Sequence, residues 1–202
     1  NAETDLVCRL LLEKKKCFTT AVEEPSYTYA TGSSALSLTI SFSLDMSTLP
    51  KSPFTDVVAG SWYFDAALYA SSHNLMLGTS PTEFSPNITM TRGMLVTVLY
   101  RMNGSPSVSG KTPFTDVRTD EWYSAAVLWA YQNGIVTGMS DTTFAPINNV
   151  TREQMATILF RYTKTAAPDK AKASADLSGF ADAGSVNDWA VDAMRWAVGQ
   201  KL

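Results

Sequence analysis

Two periodicities divide the chain. Leu36, Leu38, Ile40, Phe42 and Leu44 alternate strictly with Ser37, Thr39, Ser41 and Ser43, the period of two that predicts a strand with one buried face. Further on, Trp122, Ala126, Trp129 and Ala130 recur at helical spacing, which predicts an amphipathic helix of about three turns. Asp120 is placed to cap its start. Asn133-Gly134-Ile135 is placed to end it, Gly134 supplying the left-handed residue and Ile135 the apolar contact. After a turn-rich stretch from Gly138 to Asn149 holding one buried candidate, Phe144, a second helix is predicted at Thr151. Thr151 and Gln154 have the spacing of a capping box, and Met155, Ile158, Leu159 and Tyr162 form its apolar side.

This helix, loop, helix pattern occurs more than once. Residues 54–102 align without gaps onto 114–162, with roughly 19 of 49 positions identical, too many for an unforced register to arise by chance. Phe54-Thr55-Asp56-Val57 falls on Phe114-Thr115-Asp116-Val117, Trp62-Tyr63 on Trp122-Tyr123, Gly78 on Gly138, Thr91-Arg92 on Thr151-Arg152, and Arg101 on Arg161. A partial third copy, 180–202, begins at Phe180-Ala181-Asp182, with Trp189 in the aromatic position after a one-residue slip. It reaches Leu202 about halfway through a unit, so the sequence is expected to be truncated there or to lack a further segment. Neither helix of a unit can hide its apolar stripe alone, so the units must stack. The spacer from Asn103 to Pro113 reads as a loop, and that from Lys164 to Ser178 has room for a short helical stretch between Ala166 and Ala175, interrupted by Pro168.

Residues 1–53 are a separate, β-rich segment. Tyr27 and Tyr29 suit a preceding strand, and Leu6 to Val22 reads as a hairpin or a short helix. So few strands make a poor sheet alone, so the segment is expected to be the edge of a larger domain or to pair with another chain.

Composition narrows the function. With 45% hydrophobic and 17% charged residues the chain can bury a core. A net charge of −3 and a pI near 5.1 argue against nucleic acid or an anionic membrane as partner, and no apolar run approaches the roughly 20 residues that span a bilayer. Cys8 and Cys17 are the only cysteines and His73 the only histidine, so no zinc site of Cys and His ligands can be assembled, although a local disulfide remains open. One histidine also leaves no nucleophile, base and orienter together, and His73 reads as a surface residue at a helix end. No metal, cofactor or catalytic role is expected.

The run Phe114-Thr115-Asp116-Val117, Trp122-Tyr123, Ala130, Gly134-Ile135-Val136-Thr137-Gly138, Phe144-Ala145-Pro146 and Thr151-Arg152 resembles the S-layer homology (SLH) family, over about residues 54–202. The resemblance implies a mainly α fold of tandem helix-loop-helix SLH repeats, a pseudo-trimeric helical bundle with its third repeat truncated here and a short N-terminal β segment. It implies an extracellular, cell-wall or S-layer location, and grooves between repeats that bind acidic secondary cell-wall polysaccharide, often capped by a pyruvylated amino sugar. The family's Thr-Arg-Ala-Glu motif stands here as Thr151-Arg152-Glu153-Gln154 and as Thr91-Arg92-Gly93-Met94, which lacks the capping-box residue.

The candidate ligand-binding residues follow from this register. Arg92 and Arg152 stand in the first turn of a helix, against the macrodipole, at a cost of about 0.3 to 1 kcal/mol that a bound carboxylate would offset. The alternative is an internal salt bridge to Asp56 or Asp116. Those two aspartates, with Asp182, are either turn formers or acceptors of sugar hydroxyls. Trp62, Trp122 and Trp189 are either sugar-stacking surfaces or core, whereas Trp129 and Trp196 read as core. Gly78 and Gly138 permit backbone turns, with close ligand approach as a second role. The second copy carries the fullest set, so the site that uses Arg152 is the favoured one. Wall anchoring is the first functional reading. The alternatives are an assembly module acting through other surface-protein subunits, with the Leu36–Leu44 strand pairing with a partner, and the anchoring tail of a secreted enzyme.

Overall fold

The structure is a computed structural model that describes residues 52–173 and 175–202. The alternating stretch Leu36–Leu44, Tyr27, Tyr29, the segment Leu6–Val22 and the pair Cys8 and Cys17 lie outside the described residues. The described residues are helical: α1 Phe64–Ser72, α2 Arg92–Met102, α3 Ser124–Gln132, α4 Arg152–Ala166 and α5 Val191–Gly199, with short 3-10 turns at Pro168–Lys170, Ala183–Ser185 and Asp188–Ala190. Strand geometry among them is limited to the isolated bridges Thr91 to Asn149 and Ser140 to Thr143. The helix, loop, helix order thus appears twice, and α5 opens a third unit.

The second helices start on threonine caps. Thr91 Oγ1 accepts from Met94 N at 3.2 Å and Thr151 Oγ1 from Gln154 N at 3.3 Å. Only at Thr151 does the reciprocal bond form, from Thr151 N to Gln154 Oε1 at 3.4 Å, completing a capping box. Asp120, by contrast, does not cap α3. A tight turn intervenes, closed by Ser124 N–H on Glu121 O at 3.0 Å, so the helix begins at Ser124 without a side-chain cap. The Asp120 carboxylate instead meets Arg118 at 2.7 Å in the solvent.

All three first helices end in one way. The chain enters the left-handed region at Asn74 (φ 55°), Gly134 (φ 65°) and Lys201 (φ 60°). The next residue, Leu75, Ile135 or Leu202, donates back to Ala70, Ala130 or Ala197 at 2.8, 2.8 and 3.0 Å, the hydrogen-bond signature of a Schellman motif. At the other end of the second unit α4 runs on to Ala166, four residues past the last repeat match, and stops before Pro168.

The main helix-on-helix contacts run between units. The second helix of each unit packs on the first helix of the next, α2 on α3 and α4 on α5. One continuous core results, holding Leu95, Leu99, Val127, Ile135, Phe144 and Met155 with almost no exposure, each worth about 1.5 to 3 kcal/mol of burial. Trp129 and Trp196 belong to it, Trp129 tilted on Tyr100 and Trp196 on Phe160 with its indole N–H on Lys170 O at 2.9 Å. A smaller cluster of Phe54, Val57, Phe64, Ala67 and Phe84 closes the first unit.

Candidate functional site

The loop between the two helices of a unit is folded by the aspartate at the unit's start. Asp56 accepts Phe84 N–H and Ser85 N–H on its two oxygens at 2.9 and 2.7 Å. Asp116 accepts Phe144 N–H and Ala145 N–H at the same distances. Phe54 packs against Phe84, and Phe114 against Phe144, with ring centres 5.3 and 5.6 Å apart. The Phe-Thr-Asp motif is therefore a staple between loop ends 28 residues apart. The bonds to Phe84 N–H above all hold the Asp56 carboxyl below its ordinary pKa, against a smaller opposing effect of burial. Gly78 and Gly138 let this loop close: a Cβ would sit 2.5 Å from Glu83 O at Gly78 and 2.6 Å from Thr143 O at Gly138.

The stapled loop of the second unit then covers the start of α2. Arg92 N–H donates to Asn148 O at 2.9 Å and Gly93 N–H to Pro146 O at 2.8 Å. Two of the free N–H groups expected at this helix start are thus used by protein. The Arg92 side chain enters the second unit as well. Its Nε–H donates to Phe144 O at 2.8 Å, its Nη1 and Nη2 approach Gln154 Oε1 and Thr137 O at 3.4 and 3.5 Å, and the guanidinium lies 4.6 Å over the Phe144 ring. Arg92 is only 5% exposed. Burial lowers its pKa, an effect that the charge on Asp116 partly offsets. Among the described residues no carboxylate makes an ion pair with it, the one such pair being Arg118 with Asp120.

Two grooves of like construction follow the units. The first, about 460 Å³, is lined by Gly78, Thr97, Arg101 and Met94 of its own unit and by Trp122 of the next. The second, about 310 Å³, is lined by the equivalent Gly138, Thr157, Arg161 and Gln154 and by Trp189 of the third unit. Their chemistry differs. Leu77, Met90, Met94 and Ile88 make the first apolar. In the second, Thr137 and Gln154 replace Leu77 and Met94, and Arg92 reaches in from the preceding unit. Arg161 also points there, its Nη1 3.3 Å from Thr137 Oγ1. Two arginines meet there, and no acidic residue lines the groove.

The sequence candidates are therefore distributed as follows. Gly78 and Trp122 line the first groove; Arg92, Gly138 and Trp189 line the second. Trp62, Trp122 and Trp189 are 58, 54 and 52% exposed, so none is core. Asp56 and Asp116 spend both carboxylate oxygens on the loop staples and line neither groove. Asp182 and Arg152 are exposed and line neither. Neither of the internal ion pairs considered for the arginines forms among the described residues. Arg161, Gln154 and Thr137 were not singled out as site residues. The signal for Arg161 was its identity with Arg101 across the repeat; Gln154 and Thr137 differ between copies and gave none. His73 is exposed, stacked on Tyr69 at the end of α1. Among the described residues no cluster of His, Cys, Asp and Glu could hold a metal, and no helix is long and apolar enough to cross a membrane.

Residues 53–93 and 113–156 both match the model of the S-layer homology domain. These two stretches are S-layer homology repeats in tandem. Over 109 residues it is 38% identical to an endoglucanase of Bacillus sp. (strain KSM-635), covering 54% of this chain and 11% of that one. Over 121 residues it is 33% identical to the surface-layer 125 kDa protein of Lysinibacillus sphaericus, covering 60% and 10%. A surface layer protein of Brevibacillus choshinensis is 31% identical over 91 residues, 43% of this chain and 8% of that protein. The chain spans about a tenth of the length of these relatives. The SLH domain is a non-catalytic anchoring module, and the match together with the surface-layer relatives points to cell-wall or S-layer association.

Proposed function

We propose that this SLH chain anchors a surface protein by binding a carboxylate-bearing wall polysaccharide, such as one ending in a pyruvyl ketal, in the second groove. The observation that carries the reading is Arg92: a nearly buried cation with no carboxylate partner among the described residues, facing a groove that holds a second cation, Arg161. A buried charge without a counter-ion is costly, so a ligand carboxylate is favoured where it completes the pair. Trp189 offers an exposed indole face for a sugar ring, and Gln154, Thr157 and Thr137 offer hydroxyl partners. The enzymatic activity of the endoglucanase relative belongs to that protein, most of whose length this chain does not match.

The test is titration calorimetry with purified secondary wall polysaccharide, before and after mild acid removal of the ketal. Binding to the native polymer should fall at least about tenfold in Arg161→Ala and on ketal removal, the worth of one charge-assisted hydrogen bond. Equal affinity for native and acid-treated polymer would overturn the reading.

A further inference from the structure

Trp122 and Trp189 occupy the same station on successive grooves, yet different contacts hold them. Behind Trp122 stands Tyr123, buried and packed edge-on against it at 5.1 Å. Tyr123 lies over the bare backbone of Gly93, where even an added Cβ would be 3.4 Å from the Tyr123 Cβ. Large against small fixes that wall. Behind Trp189 the sizes are exchanged: Ala190 stands in the place of Tyr123 and Glu153 in the place of Gly93.

Ala190 cannot brace an indole, and the aromatic pair that supports Trp122 is missing. The Glu153 side chain instead crosses to the third unit. Its Oε1 and Oε2 accept from Asn187 Nδ2 at 2.9 and 3.0 Å, and Oε2 accepts Asn187 N–H at 3.3 Å. Asn187 immediately precedes the turn Asp188–Ala190 that carries Trp189. Glu153 is in the first turn of α4, where the helix dipole favours a carboxylate. Among the described residues these bonds are the ones that tie the entry of this turn to α4 through a side chain.

We propose that Glu153 is the positioning residue of the second groove. By gripping Asn187 it fixes the turn bearing Trp189, and with it the separation between the aromatic wall and the arginines Arg92 and Arg161. It lines no part of the groove itself. The first groove has no such latch, because Gly93 has no side chain to make one. The functional part of this inference rests on the second groove being the sugar site.

The experiment follows the indole N–H signals of Trp189 and Trp122 by NMR, each assigned by its Trp→Phe variant, and titrates a pyruvyl-ketal amino sugar into the intact chain. Glu153→Ala and Asn187→Ala should shift and broaden the Trp189 signal while leaving that of Trp122 in place. They should weaken sugar binding about three- to tenfold, the cost of ordering one side chain and its turn on binding. Glu153→Gln, which keeps one acceptor for Asn187 Nδ2 but turns a donor toward Asn187 N–H, should restore part of both. Asn187→Ala serves should Glu153→Ala fold poorly. An unmoved Trp189 signal in both variants overturns the proposal, as does unchanged affinity in a protein that binds the sugar. If the unaltered chain does not bind the sugar, the reading of the groove fails, and the Trp189 signal alone decides whether Glu153 holds the wall.

Discussion

Arg92 and Phe144, which belong to successive units, are joined twice: the guanidinium donates to Phe144 O at 2.8 Å and lies 4.6 Å above its ring. Phe144 is completely buried, and the N–H that shares a peptide group with its carbonyl, that of Ala145, is taken by Asp116 at 2.7 Å. Arginine and aspartate thus hold one peptide group from either side, coupling the loop staple to the junction between units. Arg92→Met keeps most of the apolar bulk but leaves Phe144 O and Thr137 O without a donor. It should lower stability by about 1 to 3 kcal/mol, the cost of leaving the buried Phe144 O unpaired. Arg92→Lys keeps the charge without the planar fork and should fall between. Urea unfolding of the three proteins measures this, and equal stability for Met and Arg would show that desolvation of the guanidinium cancels its bonds.

The depressed pKa of Asp56 makes the first staple acid-labile. The ordinary value is 3.8 and the folded one lies below it, with the bond from Phe84 N–H as the largest cause. The ionised carboxylate therefore contributes stability that is fully present above the unfolded value and is lost as the pH falls through the folded one. Melting temperature should drop as the pH is lowered below 3.8. Asp56→Asn should flatten that dependence, because its amide can accept one of the two N–H groups but turns a donor toward the other. A D56N variant with the same acid slope as the parent would remove Asp56 as a source.

The repeat, the helix pairs and the capping box were legible because each rests on local chemistry written in order: apolar spacing, Thr151 three residues before Gln154, Gly134 before Ile135. What was not legible lies across units. Arg92 and Arg152 look alike in sequence, yet Arg92 is buried because the loop Phe144 to Asn148 of the following unit covers it, while Arg152 is exposed. Period alone does not say which unit donates the covering loop. Asp56 and Asp116 suit both turns and sugar in the sequence, with the turn role ahead, and the bonds to residues 84, 85, 144 and 145 show their use. Trp122 and Trp189 likewise stand at the starts of α3 and α5, which pack on α2 and α4 of the preceding units, a relation that the single-helix pattern does not encode.

The three left-handed caps differ in their residue while sharing a geometry, which permits an internal comparison. Asn tolerates positive φ better than Lys, and Gly best of all. Lys201→Gly should stabilise the chain by about 1 kcal/mol, Asn74→Gly by about half that, and Gly134→Ala should destabilise it by about 1 kcal/mol. Thermal unfolding in one buffer ranks them. A stabilising G134A would contradict the left-handed assignment at φ 65°.

Arg161 lines the second groove beside Arg92, whereas Arg152 lines neither groove. If the groove is the anion site, Arg161→Ala removes a cation that a ligand carboxylate meets. It should weaken binding to the ketal-bearing polymer about tenfold or more, with little loss of stability, since its one bond, to Thr137 Oγ1, is exposed. Arg152→Ala removes a charge at the surface and should leave binding at moderate salt within about twofold, because screened charges act weakly over distance. Raising the ionic strength should lower the affinity of the parent and have less effect on R161A, whose binding depends on fewer charges. Calorimetric titration at two salt concentrations reads all four quantities. A loss in R152A that matched or exceeded that in R161A would move the site to the exposed start of α4 and away from the groove.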